Sequence, residues 1–144
     1  MKLKVVAVGK IAPHFKEAQE LYLRKVRNLE VVEVRKGKSK EEEGERLLSK
    51  AKGFVVALDE RGKELNSREF AQLVSAHSNL SFLIGGADGL SEEVKRRANF
   101  LLSLSRLTLQ HDVARIVLLE QLFRAQEINR GSPYHRDWGK GDGA

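Results

Sequence analysis

The stretch Phe82-Leu83-Ile84-Gly85-Gly86-Ala87-Asp88-Gly89-Leu90 decides the fold. An apolar run that begins at Leu80 stops at two glycines. A third glycine follows, and Ser91-Glu92-Glu93 has the composition of a helix start. A short continuous apolar run suits a strand buried on both faces of a parallel sheet. A strand that ends in glycines and turns into a helix leaves bare backbone N–H and C=O groups at the carboxyl edge of the sheet. Open α/β sheets bind ligands there. The same glycines would also serve a tight turn that needs only positive φ.

Upstream, Leu3 to Val8 ends at Gly9 and Leu29 to Val34 is β-branched, so both read as strands. Phe54-Val55-Val56-Ala57-Leu58 is a third buried strand, and Asp59-Glu60-Arg61-Gly62-Lys63 reads as the turn after it. Between the strands lie helical spacings: His14 to Asn28, Lys40 to Ala51 with Ser39 as N-cap, and a segment to His77 opened by the capping box Asn66-Ser67-Arg68-Glu69. Downstream, Ser91 caps a helix to about Asn99. Phe100 to Leu109 reads as part strand, part loop. His111-Asp112 opens the longest helix, which Gly131 ends. Strand and helix alternate five times, which argues for a three-layer α/β fold on a mostly parallel sheet. The last helix is apolar on more than one face, as expected if it also packs on a partner chain.

At 144 residues the chain is one domain. A net charge of +6 favours polyanionic partners, nucleic acid first, although a solubility charge has the same sign. There is no cysteine, which removes disulfides and thiolate metal sites and fits a cytoplasmic protein. No membrane span and no signal peptide are expected. The glycine loop is not G-x-G-x-x-G and follows the fourth strand, so the dinucleotide fingerprint fails. Gly37-Lys38-Ser39 resembles the end of a P-loop, but Val32 stands where its first glycine belongs; a basic turn that touches phosphate is the better reading. His14, His77, His111 and His135 lack metal-ligand spacing, and no metal is expected. Tyr134-His135-Arg136, with Trp138 close by, sets aromatic and cationic groups together, as a base and its phosphate require. The alternative is a tail whose aromatics dock on the core. Lys95-Arg96-Arg97 with Arg115, Arg124 and Arg130 could line one basic face, or be helix charges balanced by Glu120 and Glu127.

These residues carry a family resemblance over nearly the whole chain. The blocks are Lys2 to Lys10, Ala57 to Lys63, Leu83 to Leu90, Leu104-Ser105-Arg106-Leu107-Thr108-Leu109-Gln110-His111, Leu119 to Ala125, and Pro133-Tyr134-His135. In that order they resemble the ribosomal RNA large subunit methyltransferase H family of the SPOUT class. These enzymes use S-adenosylmethionine to methylate N3 of a pseudouridine in 23S ribosomal RNA. The resemblance implies a C-terminal trefoil knot, which periodicity does not suggest. It implies cofactor contacts at Leu58, Gly85 and the segment Leu104, Ser105, Arg106, Leu107, Thr108 and Leu109, with Gly86 adding backbone. It implies a homodimer whose tail helps build the site, and a substrate presented by the ribosome or its large subunit. Within that reading His135 takes the N3 proton, Arg136 holds phosphate or a developing oxyanion, and Tyr134 stacks on the base. A single domain over 1–138 with a flexible tail over 139–144 is expected. The competing readings are a non-catalytic basic α/β module that binds RNA or a nucleotide, and a SPOUT enzyme with another RNA target.

Overall fold

The computed structural model describes residues 1–137; Trp138 and the expected tail 139–144 lie outside the described residues. The strands are β1 (Lys2–Val8), β2 (Leu29–Val34), β3 (Phe54–Glu64), β4 (Asn79–Ile84) and β5 (Phe100–Ser103). The helices are α1 (Pro13–Lys25), α2 (Lys40–Lys50), α3 (Ser67–Ser75), α4 (Glu92–Arg97) and α5 (His111–Asn129). The strands form one sheet in the order β2-β1-β4-β3-β5, and every pairing is parallel. The glycine-ended strand β4 is therefore central, between β1 and β3.

Alternation along each strand divides the core in two. Val5, Ala7, Val56, Phe82 and Ile84 face α1, α3 and α5, where they meet Val26, Phe70, Val74, Leu118 and Leu122. Val6, Val8, Ala57 and Leu83 face the other way, toward Leu47 of α2 and Val94 of α4. The three expected layers are present. Each expected cap is also made. The Ser39 hydroxyl accepts from the Glu42 N–H at 3.1 Å, Asn66 and Glu69 close a reciprocal box at 2.8 Å, and Ser91 accepts from Val94 N–H at 3.2 Å.

One segment differs from the sequence reading. Residues 59–63, expected as a turn, belong to β3. That strand pairs Leu58 with Leu102, bulges outward, and pairs Lys63 with Leu102 again. Only a glycine permits the return at position 62. A Cβ there would lie 2.6 Å from the Leu101 carbonyl oxygen. The segment from Phe100 is part strand and part loop, as expected: β5 ends at Ser103, and 104–110 is irregular. The all-parallel sheet is consistent with the knot that the resemblance implies. Among the described residues, no helix is long and apolar enough to cross a membrane.

Candidate cofactor cleft and C-terminal tail

A cleft of about 790 Å³ opens at the carboxyl edge of the sheet. Three loops wall it. Leu58 to Arg61 comes from β3, Gly85 to Leu90 follows β4, and the irregular segment follows β5. Ile84 and Leu102 form its apolar floor, Lys40 and Lys95 stand on its rim, and His111 and Ala114 of α5 close one side.

The glycine loop is a tight reversal. Gly89 N–H donates to the Gly86 carbonyl at 3.0 Å, and Gly89 has φ +76°. A Cβ at Gly85 would lie 2.5 Å from the Gly89 carbonyl carbon. The glycines permit the turn, and the turn presents its backbone to the cleft. The opposite wall is held by side chains. Thr108 donates its hydroxyl proton to Glu60 at 2.6 Å, which ties the loop after β5 to the bulge of β3. The Ser105 hydroxyl accepts from Leu107 N–H at 2.9 Å, and the Gln110 side-chain carbonyl caps α5 through Asp112 and Val113 N–H.

The structure brings eight of the nine expected cofactor residues to this cleft: Leu58, Gly85, Gly86, Leu104, Ser105, Leu107, Thr108 and Leu109. Arg106 is the exception. Its side chain is 87% exposed and pairs with Glu64 at 3.0 Å over an adjoining recess. The sequence reading did not single out His111, Lys40 or Asp59 for the cleft. Spacing gave no signal for them, because each lies on a different element.

Behind the cleft, buried charges fix α5 to the start of the chain. Arg115 is 1% exposed and donates to Glu33 at 2.6 Å, Gln19 at 2.9 Å and the Gly9 carbonyl at 3.2 Å. Asp112 is 3% exposed. One of its oxygens accepts from Ala12 N–H at 3.1 Å, and the other lies 3.2 Å from His111 Nδ1.

The tail residues Tyr134, His135 and Arg136 do not line this cleft. Ten residues of α5 separate Ala114 at the cleft from Arg124 beside the tail, about 15 Å at ~1.5 Å per residue. Tyr134 donates to Glu120 at 2.9 Å, its ring meets Phe123 edge-on, and Arg124 lies over its face at 4.8 Å. Burial, with Glu120 second, pushes the Tyr134 phenol above its ordinary pKa. His135 Nδ1 is 3.0 Å from an Arg124 nitrogen that can only donate, so Nδ1 accepts. Its Nε2 then carries the proton and donates to Asp137 at 2.6 Å. Arg68 of α3 also holds Asp137, at 2.7 Å. That guanidinium first, then His135, brings the Asp137 carboxyl down to about 2. Arg136 is exposed.

Of the two readings of the helix cations, balance by neighbouring acids is the one found, and they do not line one basic face. Arg115 is buried, Lys95 pairs with Asp59 at 3.4 Å, and Arg96 and Arg97 share Glu93. Arg124 and Arg130 pair with Glu120 and Glu127. Helical spacing placed each of these cations except Arg115 beside an acid three or four residues away, and local pairing won.

The fold and cleft match a known class. A family model described as "Predicted SPOUT methyltransferase" matches residues 1–135, so the chain belongs to that family of methyltransferases. Proteins similar to it in sequence share one description, ribosomal RNA large subunit methyltransferase H. The one from Carboxydothermus hydrogenoformans is 42% identical over 94% of this chain and 100% of its own. The one from Parasynechococcus marenigrum is 42% identical over 94% of this chain and 96% of its own. A solved structure, a probable methylase family protein from Haemophilus influenzae, covers 97% of this chain and 72% of its own. Its TM-score is 0.59 at 14% identity, a likeness of fold.

Proposed function

We propose that this protein transfers a methyl group from S-adenosylmethionine to N3 of a pseudouridine in 23S ribosomal RNA, on the assembled ribosome or large subunit in the cytoplasm. The observation that carries the proposal is the cleft. Three separate segments, from β3, β4 and β5, converge there on the carboxyl edge of a parallel sheet inside a methyltransferase family. The relatives' description as ribosomal RNA methyltransferases supports the substrate class.

The residues fit the cofactor. The volume lies within the usual ~300–1,000 Å³ of a small-molecule site. Leu58, Leu104 and Leu109 offer apolar surface for an adenine, and the Gly85–Gly89 backbone can be approached closely. Asp59 and Asp88 suit cationic and hydroxyl groups, and Lys40 and Lys95 suit a carboxylate. S-adenosylmethionine, when bound, supplies an electrophilic sulfonium methyl. The protein must orient the base, exclude water and take the N3 proton.

Tyr134, His135 and Arg136 are the groups proposed to meet the base, and a second copy of the chain supplies them. The tail lies too far along α5 to reach its own cleft. A homodimer interface is available: α1 has no fully buried residue, with Leu21 and Leu23 37% and 36% exposed. In the arrangement described, both ring nitrogens of His135 are engaged. The histidine becomes a proton acceptor only when Arg124 releases Nδ1, and the arriving RNA substrate is the proposed trigger. Titration calorimetry with S-adenosylmethionine tests the cofactor site, with binding expected in the micromolar range. Absence of binding at millimolar ligand would favour a non-catalytic RNA-binding module. Mass-spectrometric mapping of ribosomes from cells lacking the protein tests the target nucleoside. For His135→Ala, a near-normal rate at saturating ribosomes would sink the base role.

A further inference from the structure

Five loops leave the carboxyl edge of the sheet, and only three of them wall the cleft. The other two, residues 9–12 after β1 and 35–39 after β2, lie beside it on paired strands. They touch each other: Lys36 Cε is 3.1 Å from where a Cβ on Gly9 would sit. The elements that carry them border the glycine loop: Val8, at the end of β1, and Glu43, in α2, come within 3.2 and 3.4 Å of the Cβ position of Gly86. Lys40, the first residue of α2, reaches the cleft itself. A continuous surface strip therefore runs from Lys10, across 35–38, into the cleft.

The strip carries Lys10, Arg35, Lys36, Lys38 and Lys40. Among the described residues, none of these five has a carboxylate within the 4.0 Å of an ion pair. The cations of α4, by contrast, are all paired. The nearest acids are turned away from the strip. Glu42 holds Arg46 at 2.7 Å, and Glu43 faces inward to accept from Gly37 N–H at 3.1 Å. Glu41 and Glu45 remain exposed on α2. The backbone under the cations is fixed, because one Arg46 nitrogen donates to the carbonyls of Arg35 and Lys36 at 3.0 and 2.9 Å. A held backbone with unpaired side-chain cations is what phosphate binding requires. Such interactions position a nucleic acid without reading its sequence.

We infer that this strip is an RNA-backbone track: Lys10, Arg35, Lys36 and Lys38 engage successive phosphates and lead the target strand to the cleft. The inference rests on the RNA methyltransferase reading. It assigns to the β1 and β2 loops a task that the cleft and tail cannot perform, namely holding the flanking strand while one base enters.

The test is a salt series of equilibrium binding to large ribosomal subunits and to an RNA fragment. The intact protein is compared with the triple variant Lys10→Ala, Lys36→Ala, Lys38→Ala. Removing one phosphate-binding cation lowers the slope of log affinity against log salt by about 0.7–0.9, so the slope should fall by about 2–3. Affinity at low salt should drop at least tenfold. S-adenosylmethionine affinity should stay unchanged, and the triple arginine variant should restore the slope. An unchanged slope overturns the track, as does failure of the intact protein to bind RNA. Weakened binding to polyglutamate without weakened binding to RNA reassigns the strip to an acidic protein and also overturns it. Failure of the methyltransferase reading shows separately, as absent cofactor binding by the intact protein.

Discussion

The two ends of α5 hold charge in opposite ways. At the cleft end, Asp112 and Arg115 are buried, and their partners lie about a hundred residues away in sequence, at Ala12 and Gly9. At the tail end, Glu120, Arg124, His135, Asp137 and Arg68 form a partly exposed chain of polar interactions. A buried charge that loses its partner is costly, whereas an exposed pair contributes ~0–1 kcal/mol. The cleft end is thus preformed, and the tail is held by interactions that a competing surface can replace. That contrast suits the proposed site, in which a second copy supplies the tail.

The largest effect should come from breaking the rigid end. Arg115→Met removes the partner of Glu33 and three hydrogen bonds, and should cost about 3 kcal/mol in urea denaturation. A loss below about 1 kcal/mol would mean that the buried ions do not anchor α5. Next, Gly85→Ala sets a methyl 2.5 Å from the Gly89 carbonyl carbon. The loop must move, so S-adenosylmethionine affinity should fall at least tenfold, or ~1.4 kcal/mol, with the fold retained by circular dichroism. Unchanged affinity would remove the glycine loop from the site. The smallest effect concerns the tail. Asp137 has its carboxyl lowered to about 2 by Arg68 and then His135. A depressed folded value means that the contribution is present above the ordinary 3.8 and is lost as pH falls through about 2. Protection of the amides over 132–137, measured relative to their intrinsic exchange rate at each pH, should therefore be high at pH 5 and fall as pH approaches 2. Asp137→Asn should show the low protection already at pH 5. Equal protection in both proteins would show that the tail is held by other means.

The layers and the caps were legible because period-two and period-3.6 patterns leave little freedom. Val5 and Val6 point to opposite faces whatever else happens, and Ser39, Asn66 and Ser91 cap as their chemistry dictates. The bulge over 59–63 was not legible. Asp59-Glu60-Arg61-Gly62-Lys63 is polar and reads as a turn, and its return to the strand depends on how closely Gly62 approaches β5. Of the cleft, the glycine loop could be located by pattern. The leucines at 58 and 104 could not be joined to it, since residues so far apart along the chain leave no local signal; the family resemblance joined them. Arg115 reads as one of several helix charges, and Asp112 only as part of the helix start. Only the packing shows that they face inward.

The excursion of β3 has a consequence for engineering. Both of its feet rest on Leu102 of the same neighbour. The residues between can change in kind, and even in number, without shifting the sheet's register, provided that Gly62 keeps its close approach. Asp59 and Arg61 form a replaceable rim, whereas Glu60 holds the segment after β5 through Thr108. A library confined to positions 59 and 61 would vary what the cleft admits and leave its floor and glycine wall in place.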